Sequence, residues 1–476
     1  MLDIRSFLKQ SSIYTLSTFL SRAITLLLIP FYTRVLSPQD YGAVDILTVA
    51  CTLINLTIAL EIHQAIARFY NEWKPEDRKT YISTAFIFTI LIYGIFSVSM
   101  YPLRNILAGY FLDDRTKEDI IKATILMVWT SGLYYFTQSQ LRWQLKAKEH
   151  AVTSIIFTIA TSLVTIFLVL YYDLGVLGVI YGLVAGNAIG LLLAFYFARE
   201  SYGLIFEYSR MVEMLRFSSP LVLSSVSVFV AMFIDRIMIK DMLTLTDLGL
   251  FSIGYKFASV VGLLMVGVNN AITPLIYTHH KDPSTPGQLE KIFKMFSVAA
   301  LITFVGLSIM ASEIITFFTT DAYSGAETVI PFLVVSTLLA SLYNFTPGLF
   351  IAQKTKVIAS INLVTAVINV ALNFLLIPVW GIRGACIATL LGYVVGFAIY
   401  YFYNQKYYPI KYNGAKLFLA SVFSVLTVYC ISLVSVSGFL YLIAIKFIVL
   451  LLFSITCLAI FAFPRSIRSF LNLGQA

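Results

Sequence analysis

The sequence predicts an all-α integral membrane protein of about fourteen transmembrane helices, built as two parallel six-helix lobes followed by two C-terminal helices. Three observations predict it. Hydrophobic residues make up 59% of the 476-residue chain and charged residues only 12%, whereas a soluble domain carries roughly 25% charged residues. The apolar residues fall in runs of about 20, the length a helix needs to cross a hydrocarbon core of ~30 Å. The chain also matches itself at an offset near 206 residues.

In chain order, the apolar stretches lie near 11–36, 41–64, 80–103, 119–143, 150–172, 174–198, 217–243, 247–277, 292–318, 327–351, 357–379, 383–404, 414–436 and 439–463. The segment Met1 to Gln10 is short and mildly basic, and the apolar stretch behind it carries Arg22, Pro30 and Arg34 without a small-residue cleavage site. It reads as a retained first helix, not a signal peptide. The turn Ser37 to Gly42 separates the first two spans. The loop near 104–122 sets Asp113, Asp114, Glu118 and Asp119 against Arg104, Arg115, Lys117 and Lys122, which describes a solvated connection. Pro30, Pro274 and Pro347 sit inside or near the ends of spans and predict bends. No loop exceeds roughly 20 residues, too few for a soluble catalytic domain.

With the N-terminus inside, Lys and Arg on the cytoplasmic side outnumber those outside by roughly three to one, which places both termini in the cytoplasm. Basic residues are scattered over short loops and not gathered on one face, so the formal charge of +9 reflects topology and no nucleic-acid partner is expected.

The internal match pairs Gly175 with Gly381, Gly178 with Gly384, Gly186 with Gly392 and Gly190 with Gly396. With one or two residues of slip it also pairs Asp40-Tyr41-Gly42 with Asp247-Leu248-Gly249, and Lys146-Ala147-Lys148 with Lys354-Thr355-Lys356. Six spans is an even number, so the second copy enters the membrane in the same direction as the first. The expected division is 1–200 for the N-terminal lobe, 201–406 for the C-terminal lobe and 407–476 for two further helices and a tail. The glycines of GNAIG (186–190) and GYVVG (392–396) read as close helix packing.

Charges inside spans are costly, and here they are mainly basic. Arg22 lies about eleven residues into the first span, where a lone Arg costs roughly 2.5–3.5 kcal/mol on insertion scales, so it must face protein or water. Asp235, Arg236 and Lys256 lie at similar depth in spans seven and eight. An Asp235–Lys256 pair that leaves Arg236 free is one arrangement. Arg34 and Asp45 flank the short turn and are expected to pair there or snorkel, as are Glu61 and His63 at the other end of span two; Lys446 is expected to snorkel. Arg22, Arg236 and Lys256 are therefore the candidates for a cationic binding cavity, and Asp235, Asp45 and Glu61 for ion pairing or for binding a coupling ion. Tyr134, Tyr135 and Gln138 in span four, with Tyr343 and Asn344 in span ten, suit sugar contacts, and equally suit an interfacial belt.

No metal, cofactor or catalytic constellation is expected. Cys51, Cys386, Cys430 and Cys457 all lie in apolar runs, and His63, His150, His279 and His280 lie at predicted span ends without ligand spacing.

Ser21-Arg22, Ile29-Pro30 and the run Thr33 to Gly42 together resemble the opening of Wzx-type polysaccharide flippases, which belong to the multidrug/oligosaccharidyl-lipid/polysaccharide transporter superfamily with the multidrug and toxin extruders and the lipid II flippase. The resemblance implies two six-helix lobes around a cationic cavity, with the family's first-helix arginine at Arg22. It implies alternating access in a bacterial inner membrane for an undecaprenyl-pyrophosphate-linked oligosaccharide repeat unit of O-antigen, capsule or exopolysaccharide. Helices thirteen and fourteen would border a groove for the lipid tail. Membrane lipids, a polysaccharide polymerase and a chain-length regulator are the partners it points to. The alternative is a cation-coupled multidrug or toxin antiporter, which would be expected to place carboxylates in its cavity. A membrane glycosyltransferase or polymerase would need a long outer loop, and a structural scaffold would not explain buried charges.

Overall fold

The computed structural model describes residues 4–70, 72–262, 264–265, 268, 272, 276, 281–434 and 439–462. His279, His280, Pro274, Arg465 and Arg468 lie outside the described residues. All regular structure among the described residues is helical. The helices are α1 (Ile4–Leu27), α2 (Ile29–Val35), α3 (Pro38–Thr57), α4 (Ile62–Phe69), α5 (Pro75–Met100), α6 (Arg104–Leu112), α7 (Glu118–Trp143), α8 (Ala147–Tyr171), α9 (Gly175–Ala198), α10 (Tyr208–Ser218), α11 (Leu221–Met242) and α12 (Leu245–Ala258). There follow α13 (Thr285–Ile309), α14 (Ala311–Phe318), α15 (Ile330–Leu342), α16 (Gly348–Ile351), α17 (Thr355–Tyr407), α18 (Gly414–Ser432) and α19 (Phe439–Ala462).

Among the described residues, ten helical stretches are long and apolar enough to cross a membrane, or eleven if α3 and α4 form one bent span. The expected fourteen differ from this for physical reasons. The 53-residue α17 contains two predicted spans, which meet at Gly381 with φ 58°. The 26-residue α7 is long enough but dilutes its apolar surface with Ser131, Thr137, Gln138, Ser139 and Gln140. The stretch 247–277 continues beyond α12 partly outside the described residues. Near Pro30 the first span breaks at Leu28, between α1 and α2.

The internal repeat is visible in local geometry. Ser37 and Asp40 close a capping box at the start of α3, and at the start of α12 the Thr244 hydroxyl accepts from the Asp247 amide and donates to the Asp247 carboxylate. Such a box satisfies otherwise orphaned N–H groups of the first turn. The chain turns through the left-handed region at Gly175 and again at Gly381, with φ 49° and 58°, a conformation that costs glycine nothing. Leu145 and Gln353, each just before the repeated Lys-x-Lys, also share a positive φ, 57° and 55°. Tyr134 packs on Gly190 as Tyr343 packs on Gly396. The starts of α3 and α12 cross at their glycines: a Cβ on Gly42 would stand 1.9 Å from the Leu245 carbonyl oxygen, and one on Gly249 would stand 1.9 Å from that of Pro38.

The chain divides into two compact units, Met1–Ser252 and Ile253–Ala476. In the first, Ile62, Ile66, Tyr81, Ile82, Phe136 and Leu141 form a buried cluster. In the second, Leu289, Phe293, Phe296, Phe345 and Ile410 do so. Large side chains such as Leu223, Leu375 and Leu440 are exposed, as surfaces solvated by lipid require.

Lys446 departs from expectation. It is 7% exposed, and its Nζ lies 2.5 Å from Oε1 of Glu313, so it does not snorkel. A carboxylate on the adjacent α14 offers its charge a nearer partner than the interface. Lys446→Met or Glu313→Gln alone is expected to destabilise the protein by about 3–5 kcal/mol, because each strands a buried charge, whereas Lys446→Met/Glu313→Leu should restore most of that loss. Thermal unfolding in detergent measures both; equal stability of the two single variants and the wild type would show that the pair contributes nothing.

Candidate functional site

The polar interior of the first unit has two centres. The first lies where α3, α11 and α12 meet. Arg236 on α11 is 5% exposed, and its Nε lies 3.0 Å from Oδ2 of Asp45 on α3. The same carboxylate oxygen accepts a hydrogen bond of 2.7 Å from the hydroxyl of Ser252. The guanidinium lies near the Phe233 and Phe251 rings, 5.3 and 5.7 Å from their centroids, so apolar walls shield the pair. Asp45 therefore faces Arg236, not Arg34, which is exposed. The arrangement that left Arg236 without a carboxylate is not the one adopted, because α3 packs directly on α11.

One helical turn further along α11, Lys240 lies 3.4 Å from Asp113 and 3.5 Å from Asp241. Tyr110 donates to Asp241 at 3.3 Å. In the neighbouring loop the Thr116 hydroxyl and amide both donate to Asp114 and hold its carboxyl below the usual carboxylate range. Asp235 is buried. Lys256 is half-buried and belongs to the second unit.

Arg22 is different in kind. It is exposed on α1, and among the described residues no carboxylate lies within ion-pair distance of it. A guanidinium in an apolar helix with no internal counter-charge is a ready anion partner.

The second centre lies at the break between α3 and α4, where the helix axis turns by 53°. Leu60 and Glu61 both adopt left-handed backbone, φ 49° and 54°, at a cost of about 1–3 kcal/mol each for non-glycine residues. Glu61 is 3% exposed and His63 7%, with His63 Nε2 3.4 Å from Glu61 Oε2 and the same distance from the Tyr135 hydroxyl. The two approach each other as expected, but inside the protein and not at an interface. Beside them Asn55 donates to Ser131 at 3.0 Å, and Tyr93 donates to Asn55 at 3.0 Å. The burial of His63 escaped sequence reasoning, as did the half-burial of His150, whose ring packs edge-on to Tyr14. Neither Gly nor Pro marks the break at 58–61.

The sugar candidates separate. Tyr134 is buried against Phe157 and takes a 2.8 Å bond from Gln138, while its neighbour Tyr135 is 38% exposed. Tyr343 packs on Tyr400, with centroids 4.7 Å apart, and Asn344 is exposed.

The fold defines a class, the multi-pass helical membrane protein. The lipid II flippase MurJ in an inward closed conformation superposes with a TM-score of 0.76 over 96% of this chain and 99% of that one, at 16% sequence identity. An inward-facing multidrug resistance MATE transporter of the MOP superfamily does so with a TM-score of 0.62 over 81% and 94%, at 14% identity. Residues 31–328 match the family described as polysaccharide biosynthesis protein, and the chain belongs to that family. It is 24% identical to Lsg locus putative protein 1 of Haemophilus influenzae over 76% of this chain and 89% of that protein. It is 22% identical to the probable low-salt glycan biosynthesis flippase Agl15 of Haloferax volcanii over 84% and 83%.

Proposed function

We propose that this protein is a flippase, not an enzyme, which moves undecaprenyl-pyrophosphate-linked oligosaccharide repeat units across the bacterial inner membrane by alternating access, for O-antigen, capsule or exopolysaccharide assembly. The observation that carries the reading is Arg22, a base on an apolar helix with no carboxylate partner among the described residues. Family membership and the flippase named among its relatives support it.

In this reading Arg22, Arg236 and Lys256 bind the pyrophosphate. Arg236 does so only by exchanging Asp45 for a phosphate oxygen, an exchange of one charge-assisted contact for another. Tyr135, Gln138 and Asn344 reach the sugars, with Tyr134 and Tyr343 behind them. The apolar cavity of about 190 Å³ between α13, α15 and α18, lined by Phe296, Phe304, Leu338 and Leu417, suits the lipid tail. The moving bodies are the lobes 1–200 and 201–406, with 407–476 beside the tail. A polymerase and a chain-length regulator act on the flipped product.

Both termini lie in the cytoplasm. Reporter fusions in the 199–216 loop and at the C-terminus are expected to read cytoplasmic, and an external C-terminus contradicts the topology. The function itself is tested by flipping of the lipid-linked oligosaccharide in reconstituted vesicles.

A further inference from the structure

Glu327 is the last acidic residue of the sequence: from Thr328 to Ala476 neither Asp nor Glu occurs, while Lys354, Lys356, Lys406, Lys411 and Lys416 all fall in that stretch. Lys354 and Lys356 stand at the start of α17 and Lys406 near its end. The kink at Gly381 brings those two ends together, so that Lys354 Nζ lies 5.9 Å from the centroid of the Tyr407 ring. Between the two limbs of α17 opens a cleft of about 350 Å³. Lys356, Ser360 and Tyr403 line it toward the ends, and Ile361, Val364 and Ile399 make its apolar wall beyond them. From Lys356 to Val364 the lining runs about 12 Å along the helix, at 1.5 Å per residue. Among the described residues no carboxylate lies within ion-pair distance of Lys354, Lys356 or Lys406, and none of the three ammonium groups makes a hydrogen bond. The first copy of the repeat differs on both counts. There Lys146 donates to the carbonyl of Phe197 at 2.8 Å, and Lys148 is followed by Glu149 where Lys356 is followed by Val357.

From this arrangement we infer that the cleft between the limbs of α17 binds an anionic glycerophospholipid, with its phosphate on Lys354, Lys356 and Lys406 and an acyl chain laid along Ile361, Val364 and Ile399. A phosphodiester supplies the counter-charge that this part of the chain does not contain, and basic pockets between membrane helices hold lipid headgroups on that ground. The Ser360 and Tyr403 hydroxyls have the donors for its remaining oxygens. A lipid-linked glycan is also an amphiphile with phosphate, but its sugars call for amide or carboxyl groups, and the lining of the cleft offers neither among the described residues. The neighbouring Asn404 is already engaged: its side-chain oxygen accepts from the Leu349 amide and its side-chain nitrogen donates to the Tyr400 carbonyl, each at 2.8 Å. The proposed topology puts the cleft in the cytoplasmic leaflet, but lipid binding itself depends neither on that topology nor on the flippase reading.

Native mass spectrometry of the full chain in neutral detergent, titrated with phosphatidylglycerol or with phosphatidylcholine of the same tails, tests the site. The wild type should bind one phosphatidylglycerol more tightly than phosphatidylcholine, by about 100-fold. Lys354→Gln/Lys356→Gln/Lys406→Gln should lose that preference, a factor of about five for each basic residue near the surface. Val364→Trp, which fills the apolar end and keeps every charge, should weaken phosphatidylglycerol binding as well. Lys148→Gln, which removes a charge from the first copy, should leave it unchanged. Equal affinity for the two lipids in the wild type, or wild-type affinity for phosphatidylglycerol in either cleft variant, overturns the site. A loss in Lys148→Gln as large as in the triple variant shows bulk charge alone and overturns it too. Lipid-linked pyrophosphate glycan added at equal concentration should not displace the phosphatidylglycerol; displacement assigns the cleft to that lipid and overturns the phospholipid.

Discussion

Replacing Arg22 by alanine is expected to lower export of surface polysaccharide by about 10- to 100-fold, with protein abundance close to normal. The magnitude follows from one hydrogen bond to a charged group, worth about 1.5–3 kcal/mol, if that bond is strongest where the pyrophosphate is held in transit. Abundance is expected to stay normal because Arg22 is exposed and makes no ion pair among the described residues, so its loss strands no partner. Arg236→Ala makes the contrast. It leaves the half-buried Asp45 opposite an empty position, so export and abundance should fall together. Lys256→Ala is expected to reduce export as Arg22→Ala does. Wild-type export in all three variants, singly and combined, rejects the pyrophosphate assignment.

Reversing the membrane potential is expected to have the second large effect. A pyrophosphate linkage carries about two negative charges, and each charge crossing the membrane is worth about 2.3 kcal/mol per 100 mV. Outward movement from a negative cytoplasm is therefore downhill by about 4.6 kcal/mol per 100 mV. With a potassium-diffusion potential clamped across proteoliposomes, flipping should accelerate when the cytoplasm-equivalent side is negative and slow when the sign is reversed. Indifference to the potential, with strict dependence on an ion gradient, indicates electroneutral exchange instead.

Much of the fold was legible because its signals are local. Ser37-x-x-Asp40 and Thr244-x-x-Asp247 cap their helices as such spacings do, and Gly175 and Gly381 stand in the same turn in both copies. Those features depend on neighbours within a few residues. The site was less legible because its partners are remote in sequence. Asp45 chooses Arg236 over Arg34 through helix packing that no local pattern encodes. Glu313 and Lys446 are 133 positions apart, so hydropathy alone left Lys446 reaching for an interface. The break at Leu60-Glu61 has no breaker residue; tertiary packing holds two left-handed residues in place, so periodicity ran through it unmarked. Count was blurred for a related reason, since the polar residues of α7 serve the interior and lower its apolarity.

The central claim is translocation of a pyrophosphate-linked glycan, and it is tested most directly with purified protein in vesicles loaded with fluorescent undecaprenyl-pyrophosphate-linked oligosaccharide. Exposure of the glycan on the opposite leaflet is followed by an impermeant lectin or glycosidase. The expected result is transfer that requires the protein, is inhibited by unlabelled lipid-linked pyrophosphate glycan but not by the free oligosaccharide, and falls sharply in Arg22→Ala. Transfer at the protein-free rate, or efflux of cationic drugs from the same vesicles with no movement of the glycan, contradicts it.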